Sequence, residues 1–416
     1  MSKSLFYFTH SYPFGIGETW KEYEIENFSC FFSVIDVCPF TYAGNYIPQK
    51  LPTNAVQHNP LTKKSIRKID VLKLPFSQNF FYYFKELINQ KVYLSKFNFK
   101  KWLIASLQAE IAWKSEAVRK VLKNDKYVTL YFFWGVEWAN IIPLLKKKGY
   151  TRLFVRFHRF DLYEDLPENK GYIPYRSQIL QSVDTVVVLT HLAEKYLRRK
   201  YQGIDFKTLV SPLGTRERGT ALPSNDGVLR LISCSYVVPV KRLALIVSAL
   251  KLATIPVEWT HIGDGPLINE INSSVERLPS NVTVNLIGSL EPRQVTEFYR
   301  NNLLDLFINV SASEGLPVSI MEAFSARIPA IATDVGGTSI LVNDKTGVLV
   351  PKDITPEELW SSIYGYYQLD VDDKEKIRRN SYMAFKNNFS ADDNAKKLGE
   401  YLSMHNNEQD DVFFGV

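Results

Sequence analysis

Short runs rich in Val, Ile, Leu and aromatic residues alternate along the chain with longer stretches whose apolar positions recur at helical spacing. In the first half the strand-like runs are Leu5 to Thr9, Val34 to Pro39, Tyr127 to Phe133, Arg152 to His158, Thr185 to Thr190 and Lys207 to Ser211. Helical spacing covers Glu18 to Phe28, Val136 to Lys148, Tyr172 to Ser182 and Leu192 to Lys200, and Gly149 stands where a C-terminal cap is needed. The second half repeats the rhythm more regularly. Its runs are Leu229 to Ser233, Val257 to Ile262, Val282 to Ile287, Leu304 to Val310, Ala330 to Thr333 and Val348 to Val350. Strand and helix in alternation predict an α/β chain of parallel sheets covered on both faces, with ligands beyond the carboxyl ends of the strands. Between the halves, residues 211–228 (SPLGTRERGTALPSNDGV) are rich in Pro, Gly and charge and read as an interdomain linker.

Composition agrees with two domains. A chain of 416 residues exceeds one ordinary domain, and 45% hydrophobic residues supply the core for two. The cysteines, Cys30, Cys38 and Cys234, show no paired metal spacing, and their scarcity argues for a reducing compartment. The first residues are too short an apolar run for a secretory signal, and no run reaches transmembrane length, so a cytoplasmic protein is expected.

Charge changes the picture. Residues 1–210 carry 31 Lys and Arg against 18 Asp and Glu, whereas the remainder is acidic. The excess concentrates in 50–126, with 16 basic and 5 acidic residues among many aromatics. Such a stretch suits an anionic membrane surface at the inner face of the cell membrane. A solvated basic face over core aromatics is the other reading. Nucleic acid is not expected, because no zinc pattern, RNP-like run or helix-turn-helix signature is present.

The chemistry gathers in the second half, at Ser311-Ala-Ser-Glu-Gly-Leu-Pro-Val-Ser-Ile-Met-Glu-Ala323. Here an apolar run meets a helical pattern opened by Pro317, which puts Glu314 at the helix mouth and Glu322 about a turn and a half inside. Two carboxylates facing one cleft offer acceptors for hydroxyls, beside a helix N-terminus able to seat phosphate. Either glutamate could instead be a capping or dipole partner, and Gly315 a simple turn. Ser235-Tyr-Val-Val-Pro-Val-Lys-Arg242 follows another strand and brings a basic pair to its end. His261-Ile-Gly-Asp-Gly-Pro-Leu267 and Asp334-Val-Gly-Gly-Thr338 are glycine turns that let backbone approach a ligand. In the first half, Tyr12-Pro-Phe-Gly-Ile-Gly-Glu-Thr19 follows the first strand, and Arg156-Phe-His-Arg-Phe-Asp161 ends another. Asp370-Val-Asp-Asp373 looks like a metal-binding Asp-x-Asp, but Lys374-Glu-Lys376 and a charged helical pattern follow it, so it reads as a helix start and no metal is expected.

The segment from Ser311 to Ala323, followed by Pro329-Ala-Ile-Ala-Thr-Asp-Val-Gly-Gly337, resembles the donor-binding signature of retaining glycosyltransferases of family 4. That resemblance implies the GT-B fold: two Rossmann-like doubly wound parallel-sheet domains facing a central cleft. The expected bounds are 1–214 for acceptor binding, 215–384 for nucleotide-sugar binding and 385–416 for a last helix returning to the N-terminal domain. It implies transfer of a hexose-like sugar from a nucleoside-diphosphate sugar, UDP- or GDP-linked, to a glycan or lipid-linked glycan in polysaccharide synthesis, without a cofactor or metal. By the same resemblance Glu322 binds the ribose, Glu314 contacts the sugar, Lys241 stabilises the leaving diphosphate and His158 lies near the transferred sugar. Gly17, Gly263, Gly265, Gly315, Leu316, Pro317, Gly336 and Gly337 belong to the donor side, and Gly15, Glu18, Arg156 and Asp161 to the acceptor side. Two positions depart from the family. Tyr236 stands where a diphosphate-binding arginine is usual, a loss that Arg242 is expected to restore, and Arg159 replaces a glycine.

Overall fold

The computed structural model describes residues 3–14, 18, 21–42, 48–61 and 68–404. The chain forms two compact units, one from the chain up to Pro212 together with the segment after Asn394, the other Leu213–Asn394.

The sheet of the first unit is wholly parallel. Its strands are β1 (Ser4–Thr9), β2 (Val34–Pro39), β3 (Ala55–Gln57), β4 (Thr129–Phe132), β5 (Leu153–Phe157), β6 (Thr185–Val188) and β7 (Lys207–Val210), in the order β3-β2-β1-β4-β5-β6-β7. Every residue of β4, β5 and β6 is buried, as parallel strands covered on both faces require. Register places Leu5 between Ile35 and Thr129, and aromatic pairs reinforce it: Tyr7 stacks on Tyr131 at 5.4 Å and Phe8 on Phe132 at 4.5 Å.

Several expectations for this unit shift in detail. Strand β3 has no counterpart in the sequence reading, because an edge strand of three residues with two exposed carries no periodic signal. The helix expected over 136–148 is a tight turn, Glu137–Ile141, followed by a helix, Ile142–Lys147, that starts with Pro143 in its first turn. The helix expected from Glu18 begins at Lys21.

The second unit has six parallel strands: β8 (Leu229–Cys234), β9 (Val257–Ile262), β10 (Val282–Leu286), β11 (Leu306–Asn309), β12 (Ala330–Thr333) and β13 (Gly347–Val350), in the order β10-β9-β8-β11-β12-β13. Alternate residues feed two cores. Leu231 and Trp259 pack with the helices Leu243–Leu250 and Pro356–Gln368, whereas Ile232, Ile262 and Phe307 pack with Val318–Ser325 and Val371–Asn388.

The division falls at 212/213 and 394/395 rather than at 214/215 and 384/385. The physical reason for the later exit is packing: Phe385 and Phe389 are buried in the second unit's core, and Thr215 exchanges backbone hydrogen bonds with Phe389 and Ala391. The end of the last helix, Ala391–Ser403, belongs to the first unit, where Arg152 and Thr129 donate to the Leu402 carbonyl and Tyr401 Oη lies 2.9 Å from Thr185 Oγ1.

In each sheet the strand order reverses once, at β1/β4 and at β8/β11. Those reversals open crevices at the carboxyl ends of the strands, and the candidate residues cluster there.

Candidate functional site

In the second unit, β8 runs out at Cys234 into a loop that ends in the turn Pro239–Lys241 and the helix Leu243–Leu250. Its neighbour β11 runs out at Asn309 into residues 310–317 and then the helix Val318–Ser325. The loops are tied together, for the Ala312 amide donates to the Val240 carbonyl at 2.7 Å. Lys241 Nζ therefore reaches Glu314 Oε1 at 2.7 Å, and Asn309 Nδ2 donates to the same oxygen at 3.3 Å. Both charged side chains keep some solvent access, 24% and 11% respectively. Pro317 is the residue before the helix rather than its first turn, and it offers no side-chain cap, so the N-terminal amides stay available to an acceptor.

The glycine turns serve the site in a different way from that expected. Gly336 has φ +60°, and a Cβ there would fall 1.9 Å from the Glu314 carbonyl oxygen, while the Gly337 amide donates to the Gly315 carbonyl at 2.7 Å. Gly263, at φ +142°, comes equally close to the Ser235 carbonyl, and the next glycine, Gly265, meets Val237. These glycines seat loop against loop, and so hold Glu314, Gly315 and Leu316 on one side and the Lys241 loop on the other.

Glu314 and Glu322 do not share a partner. Glu322 Oε1 is taken by Arg218, whose other amino group donates to Thr296 Oγ1 at 2.6 Å and to the Pro292 carbonyl at 2.7 Å. Burial, with Glu322 nearby, pushes the Cys234 thiol up to about 12, so it stays neutral. Arg218 lies in the segment read as a linker, where nothing in sequence sets it apart.

Arg242 requires a correction. Its guanidinium donates to the carbonyls of Val310 at 2.6 Å, Lys352 at 2.7 Å and Ser311 at 3.4 Å, so it ties strand ends together instead of replacing the missing phosphate ligand. Tyr236, at the substituted position, is 62% exposed. Asp370 caps the helix Val371–Asn388 by accepting from the Asp373 amide at 2.8 Å. Among the described residues no three His, Cys, Asp or Glu side chains gather in a metal-binding cluster.

The first unit gathers a second polar cluster beyond β1 and β4. Glu18 accepts from the amides of Ser11 at 2.8 Å and Tyr12 at 2.7 Å, from Trp134 Nε1 at 2.7 Å and from Lys21. Burial raises its pKa, but Lys21 and these donors outweigh burial and bring it down to about 2. Lys21 is fully buried, 3.9 Å from the Phe133 ring centre, and burial lowers it to about 8 despite Glu18. Gly15 and Gly17 lie outside the described residues.

His158 sits in this cluster with its ring 4.1 Å from that of Trp134, and neither ring nitrogen has a hydrogen-bond partner. Burial, then Arg156 and Lys21, hold its pKa well below the usual value, so the imidazole is neutral at physiological pH. Asp161 accepts from the amides of His158 at 2.5 Å and Gly135 at 2.6 Å and is pushed up to about 6 by burial. It shapes the turn that carries His158. Arg156 is a further correction: it is 2% exposed and pairs at 2.5 Å with Glu24 of the helix Lys21–Phe28, so it supports the core and does not face an acceptor. Lys21, Trp134 and the His10–Glu137 pair, 2.8 Å apart, went unnoticed in sequence.

Comparison with known proteins adds to this geometry. Residues 219–382 match the family model described as glycosyl transferases group 1. The GtfA subunit of a UDP-N-acetylglucosamine–peptide N-acetylglucosaminyltransferase from Streptococcus agalactiae is 21% identical over 304 residues, 69% of this chain and 58% of its own length. The putative teichuronic acid biosynthesis glycosyltransferase TuaC of Bacillus subtilis is 31% identical over 137 residues, 33% of this chain and 32% of that protein. The chain thus spans under two thirds of these curated relatives. The structure of HepE from Anabaena in complex with UDP superposes with a TM-score of 0.61 at 14% identity, covering 96% of this chain and 99% of that one. The second unit therefore carries a glycosyltransferase group 1 domain, and the chain as a whole has the GT-B architecture of two Rossmann-like parallel-sheet units.

Proposed function

We propose that the chain is a retaining, metal-independent glycosyltransferase that moves a hexose-like sugar from a nucleoside-diphosphate sugar to a glycan or lipid-linked glycan of a surface polysaccharide, working in the cytoplasm. The observation that carries this reading is the Lys241–Glu314 pair at the β8/β11 crevice, beside an uncapped helix N-terminus. A cation and a helix N-terminus there suit the diphosphate, and Glu314 suits the hydroxyls of the attached sugar. Glu322 takes the ribose and Arg218 orients it, and the resemblance to family 4 gives neutral His158 its role toward the transferred sugar. Lys241 and the helix N-terminus neutralise charge growing on the leaving phosphate, usually the largest contribution in such transfers. The departing phosphate accepts the acceptor's proton, which permits retention on one face of the sugar. The resemblance to family 4 supports this route, the UDP-bound neighbour supports a UDP-sugar, and TuaC supports a surface glycan.

The test combines thermal shift against UDP-, GDP- and ADP-sugars with a transfer assay. Glu322→Ala is expected to weaken nucleotide binding roughly 10- to 100-fold, the worth of a charged hydrogen bond or two. Glu314→Ala is expected to reduce transfer far more than nucleotide binding. Unchanged nucleotide affinity in the first variant, an inverted product anomer, or activity abolished by EDTA would each overturn the corresponding part. Arg242, tied to backbone, leaves Lys241 the only basic side chain seen turned to the site from its loop, and this favours a second reading, a non-catalytic sugar-nucleotide-binding or scaffold protein. Nucleotide binding with no transfer to any acceptor glycan is its signature.

A further inference from the structure

We infer that the outward face of residues 72–99, in the first unit, docks on an anionic lipid bilayer. This surface is separate from the sites above and does not depend on the reaction assigned to them.

The helix Phe80–Asn89 is amphipathic in the wrong sense for a soluble protein. It buries Tyr82, Tyr83 and Glu86 and turns Phe81, Phe84 and Ile88 to solvent, at 84%, 42% and 47% exposure. Positions 81, 84 and 88 form one helical stripe, and Lys85 lies on it. The inward face is fixed by polar contacts. Glu86 accepts from the Tyr175 amide at 2.8 Å and from Gln178 Nε2 at 2.9 Å, Tyr83 Oη donates to Glu110 at 2.9 Å, and Trp102 Nε1 donates to the Tyr83 carbonyl at 2.9 Å. The stripe is therefore held outward by its scaffold and cannot roll into the core. In the short turns on either side, Phe76 and Leu94 are also far more exposed than buried. Contiguous exposed apolar side chains of this kind mark a binding surface.

Charge selects the occupant. From residue 71 to 100 the lysines Lys73, Lys85, Lys91, Lys96 and Lys100 are all exposed, and the single carboxylate of that stretch, Glu86, is buried. Aromatic rings at headgroup depth with lysines beside them match a negatively charged bilayer surface. A second copy of the chain meeting the same face would set lysines against lysines. No helix among the described residues is long and apolar enough to cross a membrane, so the contact is at the surface.

Flotation of the full chain with phosphatidylglycerol–phosphatidylcholine vesicles, and with phosphatidylcholine alone, tests the inference. The native chain is expected to float with the anionic vesicles at low salt and to be released by high salt. Replacing Phe81, Phe84 and Ile88 together by Ser is expected to reduce vesicle binding at least tenfold with Tm and UDP affinity unchanged, and replacing Lys85, Lys91 and Lys96 by Ala to flatten the salt dependence. Unaltered flotation of the triple Ser variant overturns the inference. So does failure of the native chain to float at low salt, or binding to neutral and anionic vesicles alike. Self-association by light scattering that the Ser variant abolishes, without vesicle binding, would instead make this face a contact between copies. Binding to acidic proteins alone overturns it equally. UDP affinity is read in the same samples, so failure of the donor site is seen separately.

Discussion

Glu18 shows how a single side chain can tie together the ends of several elements. Its oxygens collect two backbone amides, an indole and an ammonium, and with these partners its pKa falls to about 2 from the ordinary 4.5. A carboxylate with a depressed folded pKa contributes stability that is present above the ordinary value and is lost as pH falls toward the folded one. Glu18→Gln is accordingly expected to cost about 3 kcal/mol near pH 7, and native and variant chains should converge in urea melts as pH drops from 4.5 toward 2. A constant difference across that window would contradict the assignment. Residue types in a familiar order singled out Glu314, Glu322, Lys241 and His158 as candidates in sequence. Their partners were not, because Arg218 meets Glu322 across 104 positions and Trp134 meets Glu18 across 116. Direction was also invisible: Arg156 and Arg242 have suitable chemistry, but Arg156 is buried against Glu24 of a covering helix and Arg242 lies along strand ends, as only the packed structure decides.

At the scale of elements, the loops beyond β8, β9, β11 and β12 behave as paired parts. Gly336 closes one pair and Gly263 the other, each with a positive φ and a carbonyl where a side chain would stand. Gly336→Ala is expected to destabilise by more than about 2 kcal/mol and to lower transfer by displacing Glu314. Gly288→Ala is its control: φ is +74°, yet nothing lies within 4 Å, so only the backbone strain of about 1 kcal/mol should appear. Equal losses in chemical denaturation would show that loop docking contributes nothing. The core strands of both sheets were legible because their apolar runs stand between turn residues. The edge strand β3 was too short to read, and Pro143 started a new helix within what read as one continuous helical pattern.

The whole molecule repeats one architecture and treats charge differently in its two copies. In the first unit the last helix is fastened by Arg152, which donates to the Thr129 hydroxyl at 3.1 Å and to the carbonyls of Leu402 and Met404. Arg152→Met should lower stability by about 2–4 kcal/mol and expose the end of that helix to proteolysis. Cleavage no faster than in the native chain would show that the helix is held by its apolar face alone. The family resemblance implied that the last segment returns to the first unit, but the point of return, after Asn394, is decided by packing, since Phe385 and Phe389 could have served either core. In the second unit the Lys241–Glu314 pair stays within reach of solvent. On the proposed reading, each charge of this pair offsets the other. A diphosphate that draws Lys241 away leaves Glu314 Oε1 to the Asn309 side-chain amide alone, so the carboxylate becomes a stronger acceptor for the sugar's hydroxyls as the phosphates arrive. A free monosaccharide, lacking phosphates, would meet a carboxylate whose charge Lys241 still offsets.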